Sequence, residues 1–183
     1  MPRAPRRDAA RNAERLREAA VRVFRASGTN APLEEVAAAA GLSIGTLYNH
    51  FPGRDQLLAA ILPAAADEQL RRIAAAVGEG TATDRLARYL TEVLAVQASD
   101  RLLSDALADP ERLPPEAASS CEDVLTLGEG LLDEARAEDP SLLLDRETLR
   151  ALVVTNALAQ RAGTPPGWER LVHALATAHA AHG

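Results

Sequence analysis

Apolar residues near the start of the chain recur at the spacing of one helical face. The pattern predicts a helix over residues 8–27, because Asp8 can cap its start and Gly28 can close its end. The apolar stripe of this helix consists of Leu16, Ala20, Val23 and Phe24. No useful window shows the two-residue alternation that is typical of a strand. We therefore expect a helical protein.

Two shorter helices are predicted next, with a glycine between them. Pro32 suits the first turn of the second helix, where a missing N–H costs nothing, and Gly41 ends that helix. Ser43 can cap a third helix that runs to Phe51, with Leu47 and Phe51 facing inward. Three short helices with a glycine-containing turn between the last two are typical of helix-turn-helix organisation.

Longer helical stretches follow, separated by turns rich in glycine and proline. They are predicted near residues 54–77, 83–98, 101–108, 114–138, 145–162 and 166–182. The chain is therefore expected to be all-α, with about nine helices: a three-helix N-terminal domain at 1–54 and a helical body at 55–183. Gly128 and Gly130 lie in a stretch that is apolar nearly all round, where they can allow close backbone approach.

Charge is divided unevenly between these two parts. Residues 1–54 carry nine arginines against five acidic residues, a net charge of +4, whereas the remainder carries a net charge of −10. A basic head on an acidic body indicates that the head alone meets a polyanion, although a solvated basic tail has the same composition. No apolar run reaches the roughly 18 residues of a membrane span. The N-terminus lacks the apolar segment of a signal peptide, so we expect a cytoplasmic protein.

Uncharged polar side chains gather on the outer face of the third predicted helix. Thr46, Asn49 and His50 share this face with Gly45, and Tyr48 lies at its edge. The face offers hydroxyl, amide and imidazole groups but no carboxylate, which suits phosphate oxygens and base edges. The absence of a side chain at Gly45 would let the helix approach a groove wall. The pattern indicates a DNA-recognition helix.

The stretch LEEVAAAAGLSIGTLYNHFPGRDQLL, residues 33–58, resembles the DNA-binding signature of the TetR family of bacterial repressors. The usual form of that signature is an apolar IA-x-x-AGVS-x-GTLY-x-HF, then two residues and a basic position. Two departures are visible: Arg54 stands where the family more often has lysine, and Pro32 lies where a threonine commonly caps the second helix. The resemblance implies a homodimer that binds double-stranded DNA at a palindromic operator and responds to a small-molecule effector.

Individual roles follow from the same resemblance. It implies phosphate contacts from Thr46, Tyr48, His50 and Arg54. It places nearest the base edges Ser43, Ile44, Gly45 and Asn49. Asn49 is then suited to pair with adenine and Ile44 to touch a thymine methyl group. Arg11 is expected to reach the DNA backbone or minor groove from a flexible arm, together with Arg3, Arg6 and Arg7. The alternatives are that Ile44 is buried, that Tyr48 is a core aromatic and that His50 caps a neighbouring helix. The alternative for the four N-terminal arginines is a disordered segment without specific contacts.

The resemblance gives the acidic body two tasks, dimerisation and effector sensing. Apolar faces on the helices at 145–162 and 166–182 predict an antiparallel pair that forms a four-helix interface with a second copy, unless both faces only cover their own core. The face at 145–162 comprises Leu149, Leu152, Val153, Asn156 and Gln160. Five side chains are candidates for lining a modest apolar effector cavity: Tyr89, Gln97, Cys121, Asn156 and Gln160. Ordinary packing is the alternative for Tyr89 and Cys121, and a position at a helix end or an interface is the alternative for the other three.

The expected function is a dimeric transcriptional repressor that a small apolar ligand releases from its operator. The alternative is a DNA-binding helical regulator without a small-molecule response, either constitutive or controlled by another protein. An enzyme is not expected, because the sequence has no G-x-S-x-G, H-E-x-x-H, glycine-rich phosphate loop or Cys–His signature. Cys121 is the only cysteine and excludes a multi-cysteine metal site, so no metal or cofactor is expected.

Overall fold

The computed structural model describes residues 4–163, and within them the chain forms eight α-helices, one short 3-10 helix and no strand. The helices are α1 (Ala4–Ser27), α2 (Leu33–Ala39), α3 (Ile44–His50), α4 (Arg54–Val77), α5 (Ala82–Ser99), α6 (Arg101–Ala108), α7 (Pro115–Glu138) and α8 (Arg146–Arg161), with the 3-10 helix at Pro110–Arg112. The all-α prediction is confirmed. The helix predicted at 166–182 lies outside the described residues, and the proposed division of the chain at residue 54 falls at the first residue of α4.

Side-chain caps begin four of these helices. In α3, α5, α6 and α8 the N-cap side chain accepts a hydrogen bond of 2.7–3.2 Å from the backbone N–H three residues later. The capping residues are Ser43, Thr81, Asp100 and Asp145. Each cap satisfies a donor that the helix itself leaves without a partner, and so fixes where the helix starts. Pro32 supplies no side-chain cap to α2, as predicted.

One hydrophobic core runs through the described residues from α1 to α8. Near the N-terminus it contains Leu16, Phe24 and Leu47, all fully buried. In the body, α4, α5 and α7 pack against one another, while α6 packs against both α1 and α8. The short helix α6 therefore connects the N-terminal helices to the last described helix of the body.

The ring of Tyr89 lies directly on the backbone of α7. Tyr89 is fully buried, and its hydroxyl donates a 2.9 Å hydrogen bond to the carbonyl oxygen of Val124. A Cβ atom at Gly128 would lie 2.4 Å from Cε1 of Tyr89, whereas one at Gly130 would meet nothing within 4 Å. The close approach at Gly128 is thus made by a side chain and not by the predicted backbone, and Gly130 has no such contact. Burial raises the pKa of the Tyr89 hydroxyl.

Two buried amides join α5 to α8. The Nε2 of Gln97 donates a 3.0 Å hydrogen bond to the carbonyl oxygen of Val153, and the Nδ2 of Asn156 donates to the Oε1 of Gln97. Both side chains are at most 2% exposed. Each polar group thus meets a partner inside the core, because a buried amide without one would be costly.

Replacing Asn156 with leucine is expected to lower the free energy of unfolding by about 1–3 kcal/mol, because the Gln97 carbonyl would be buried without a donor. Replacing Gln97 with leucine in the same protein should recover part of the loss, since no amide carbonyl then remains unpaired. Urea unfolding of the two single variants and the double variant measures this coupling. Strictly additive losses would contradict the pairing.

Candidate nucleic-acid interface

The start of α3 is built by two hydroxyl side chains. The Oγ of Ser43 accepts a 3.1 Å hydrogen bond from the backbone N–H of Thr46, and the two hydroxyl oxygens lie 2.8 Å apart. The helix ends at His50, after which Phe51 takes an extended conformation while its N–H donates to the Leu47 carbonyl at 2.8 Å. These contacts fix a helix of seven residues with defined ends.

The turn between α2 and α3 has a tight and well-supported geometry. Gly41 has φ +64°, a left-handed conformation that favours glycine. The N–H of Leu42 returns to the Ala37 carbonyl at 2.9 Å, and Arg15 of α1 donates from Nη2 to the Ala40 carbonyl at 2.5 Å. These hydrogen bonds hold α3 at a fixed angle to α2, as a helix-turn-helix unit requires. The sequence did not single out Arg15 for this role.

The side chains of α3 divide into an inner and an outer face. Leu47 is fully buried and Phe51, just past the helix end, is 6% exposed, whereas Tyr48 is 47% exposed. Ser43, Gly45 and Asn49 are also exposed, and half-buried positions are occupied by Ile44, Thr46 and His50. Ile44 packs partly against the core, which is intermediate between its two predicted environments. Seven of the predicted DNA-contacting residues thus lie together on or beside one surface; the exposed part of that surface, residues 43, 45, 48 and 49, is called the recognition face below.

The N-terminal arginines stand on a helix and not on a flexible arm. Helix α1 begins at Ala4, four residues before the predicted start, so Arg7 and Arg11 lie one turn apart on one side of it. Both are exposed, and neither has an ion-pair partner among the described residues. The prediction of a flexible arm is therefore wrong for the residues from Ala4 onward. Arg3 and the Arg6 side chain lie outside the described part of the chain.

Arg54 is turned toward the protein. Its Nη1 donates a hydrogen bond to the carbonyl oxygen of Thr29, and its guanidinium carbon lies 5.7 Å from the centroid of the Phe24 ring. The predicted phosphate contact would require this guanidinium to leave both partners. In the structure Arg54 instead joins the first turn of α4 to the turn between α1 and α2.

The helix-turn-helix segment is similar to a known protein family. The family model of the tetR family of bacterial regulatory proteins matches residues 16–61, from the middle of α1 to the second turn of α4. The helix-turn-helix segment of the chain thus carries the signature of the TetR family of bacterial regulatory proteins. None of the curated proteins compared with the sequence matches it.

Solved structures of other proteins share the fold beyond the matched region. A regulatory protein of the tetR family from Rhodococcus RHA1 is 25% identical, with a TM-score of 0.57 over 82% of this chain and 83% of that one. The reduced form of E. coli NemR is 20% identical, with a TM-score of 0.62 over 90% and 94%. Bacillus subtilis FadR in complex with stearoyl-CoA is 19% identical, with a TM-score of 0.55 over 79% and 82%. The last two show likeness of fold alone. No helix among residues 4–163 is both long and apolar enough to cross a bilayer.

The five candidate effector residues of the helical body do not converge on one cavity. Cys121 lines an apolar cavity of about 20 Å³ between α4, α5, α6 and α7, together with Gln69, which the sequence did not indicate. Gln97 and Gln160 line a separate polar cavity of about 170 Å³ beside the turn after α1. Tyr89 and Asn156 line neither of these two cavities, and their polar atoms are hydrogen-bonded inside the core. The apolar cavity has room for about one water molecule.

The reactivity of the Cys121 thiol tests whether the apolar cavity is closed to small reagents. It is 3% exposed, and burial raises the pKa of its thiol to about 11. Because the thiolate is the reactive form, we expect iodoacetamide at pH 8 to modify the native protein roughly 100-fold more slowly than the urea-unfolded chain. The native rate should keep rising with pH beyond 9, where the unfolded chain is already ionised. Equal rates for native and unfolded protein would show instead that the cavity admits the reagent.

The apolar face predicted on the helix at 145–162 covers the protein's own core. Leu149, Val153 and Asn156 are at most 2% exposed within one chain, so these three residues cannot form an interface with a second copy. The residues that α8 leaves accessible follow a different stripe at helical spacing, Ala151, Val154 and Leu158, of which Leu158 is 47% exposed. At Leu149, Val153 and Asn156 the predicted face therefore covers the protein's own core, which is the alternative that the sequence left open.

Proposed function

We propose that the protein is a dimeric transcriptional repressor that binds a palindromic operator through α3 and is released by a small apolar ligand. The observation that carries the DNA-binding part is the recognition face. Ser43, Tyr48 and Asn49 stand exposed on a helix that contains no carboxylate, in a chain whose overall charge is −6. Such a surface does not repel phosphate, and its hydroxyl and amide groups match phosphate oxygens and base edges.

Gly45 gives independent support for a partner at this surface. A Cβ atom there would meet only the Ser43 Oγ, at 3.9 Å, so packing within the protein does not require glycine. Glycine in a helix costs about 1 kcal/mol relative to alanine. Clearance for a closely approaching duplex explains this cost, and the exposed side chains of Tyr48 and Arg11 are proposed to contact its phosphates.

Dimerisation is proposed to use the Ala151, Val154 and Leu158 stripe. Two recognition helices of a dimer must lie one helical turn of DNA apart, roughly 34–36 Å, to enter successive major grooves. Leu158→Arg is expected to convert a dimer to a monomer, because it places a charge in the centre of an apolar contact. Light scattering after gel filtration measures the mass of both proteins. A wild-type monomer, or an unchanged dimer in the variant, would refute this interface.

The ligand part of the proposal requires the apolar cavity to expand. About 20 Å³ is far below the ~300–1,000 Å³ of pockets for drug-sized ligands, so a ligand must separate the helices around Cys121. That separation would shift α4, which leads directly from α3 into the body. The small cavity is also the observation that favours the second candidate function, a TetR-family DNA-binding regulator with no small-molecule response.

A mobility-shift titration on the promoter region beside the protein's own gene tests DNA binding, with a scrambled duplex as the control. We expect specific retardation that weakens as salt is raised, because phosphate contacts release counterions. The absence of specific retardation at every salt concentration would refute the proposal for that operator. Straight-chain fatty acids and their CoA esters are suitable first ligands, since the structurally similar FadR was solved with stearoyl-CoA. Operator affinity that none of them alters would favour the second candidate function.

A further inference from the structure

Two carboxylates of α6 hold the end of α1 and the turn that follows it. Asp100, whose side chain is 7% exposed, caps α6 and forms a 2.9 Å ion pair with Arg25 of α1. Asp105, one turn further along α6, accepts two hydrogen bonds at Oδ2 from Thr29, one from the backbone N–H at 2.7 Å and one from the hydroxyl at 3.0 Å. Helix α6 thus contacts the DNA-binding unit through polar groups in addition to packing against α1.

Thr29 is held from two directions. Its N–H and hydroxyl bind Asp105 of α6, while its carbonyl oxygen accepts from Arg54 at the start of α4. All three polar groups of Thr29 are therefore bound by side chains of α4 and α6. No other threonine in the described part of the chain is bound in this way.

Gly28 permits the close approach of Asp105. It has φ +85°, which favours glycine, and a Cβ atom there would lie 2.7 Å from the Asp105 Oδ2. The polar cavity of about 170 Å³ lies on the same side of the turn, and Gly28, Asn30 and Asp105 are among the residues that line it. Apolar side chains do not fill this side of the turn. The position of the turn relative to α6 is therefore determined by hydrogen bonds rather than by packing.

We propose that Thr29 is a positioning residue for DNA binding, and that the Asp105–Thr29 contact fixes the orientation of α2 and α3 relative to the body. The turn that carries Thr29 leads directly into α2, which is joined to α3 through Gly41. A movement of α6 is then passed to the recognition face through Asp105 without first bending α4. This inference rests on the proposed DNA-binding function and adds the contact through which the body controls it.

Asp105→Ala and Asp109→Ala form a matched pair for the test. Both remove one negative charge at α6, but Asp109 pairs with the exposed Arg112 at 3.0 Å and does not contact Thr29. Loss of a negative charge alone favours binding to a polyanion. We expect Asp105→Ala nonetheless to weaken operator binding about tenfold, the scale of a lost hydrogen bond to a charged group, and Asp109→Ala not to weaken it.

Thr29 variants keep the test independent of folding. Thr29→Val keeps the N–H bond to Asp105 and removes only the hydroxyl, so it should fold and bind DNA more weakly. Thr29→Ser restores the hydroxyl and should bind like wild type. Amide hydrogen exchange of residues 28–31 should be faster in Asp105→Ala than in Asp109→Ala, which detects opening of the turn directly.

The outcomes separate this inference from the proposed function. A wild-type protein that binds no operator refutes the proposed function itself. A wild-type protein that binds, with Asp105→Ala and Thr29→Val binding equally well, overturns the role of Thr29 alone. The same conclusion follows if Asp105→Ala lowers only the thermal midpoint, or if exchange at residues 28–31 does not change.

Discussion

Gly128→Ala is expected to lower the free energy of unfolding by about 3 kcal/mol or more, whereas Gly130→Ala is expected to raise it. At Gly128 the new methyl group would lie 2.4–2.6 Å from three atoms of the Tyr89 ring. That ring is fully buried and its hydroxyl is bound to the Val124 carbonyl, so it cannot move aside without losing a hydrogen bond and disturbing the core. Overpacking of this kind costs about 1–3 kcal/mol, and the lost hydrogen bond adds to it.

Gly130 is the matched control on the same helix. A methyl group there meets nothing within 4 Å, so the change should give only the gain in helix propensity, about 1 kcal/mol. Urea unfolding followed by circular dichroism measures both variants. Combining Gly128→Ala with Tyr89→Leu should recover part of the loss, because the smaller side chain vacates the space. If the two glycine variants had equal stabilities, the close approach of Tyr89 to α7 would be wrong.

Helix positions were largely predictable because they depend on local chemistry. Caps such as Ser43, and residues such as Gly41 that end a helix, act within a few positions of the helix end that they fix. The span of α4 agrees with the prediction at both ends, at Arg54 and Val77. The start of α1 was predicted four residues too late, because Asp8 has the chemistry of a cap although the helix already runs through it.

The recognition face was also predictable, since the identity of exposed polar residues and the helical period together define it. The partners of buried polar residues were not. Gln97 and Asn156 interrupt apolar faces, and such residues can either line a cavity or bind each other; only the packing of α5 against α8 decides. Arg54 shows the same limit, because a basic residue beside a DNA-binding helix can equally well bind Thr29.

The residues predicted for dimer contacts on α8 were misplaced for a related reason. Periodicity identifies the strongest apolar face, with Leu149 and Val153, and that face covers the protein's own core. The accessible stripe is weaker in sequence because it contains Ala151 and Val154 with a single leucine. When a helix has two apolar faces, the more completely buried face has the stronger apolar periodicity in the sequence. A face that contacts a second copy is therefore harder to predict than a face that covers the core.

Asn49→Asp is expected to weaken operator binding by about 100-fold or more. Asparagine and aspartate have nearly the same shape, and Asn49 is exposed at the end of α3, so the change should leave the fold intact. It places a carboxylate on the recognition face, where like charges facing each other cost several kcal/mol, and each 1.4 kcal/mol is tenfold in affinity. Fluorescence anisotropy with a labelled operator measures the change.

Ala75→Asp provides the control for net charge. It adds the same charge at an exposed position in the second half of α4, and should change operator affinity much less than Asn49→Asp. Asn49→Ala separates repulsion from base recognition: loss of one base contact should relax preference at a single base pair, at a cost of about 1–3 kcal/mol, and leave binding to other sequences similar. The aspartate should instead weaken binding to every duplex, because phosphates are present at every position. If Asn49→Asp and Ala75→Asp bound the operator equally well, α3 would not be the helix that enters the groove.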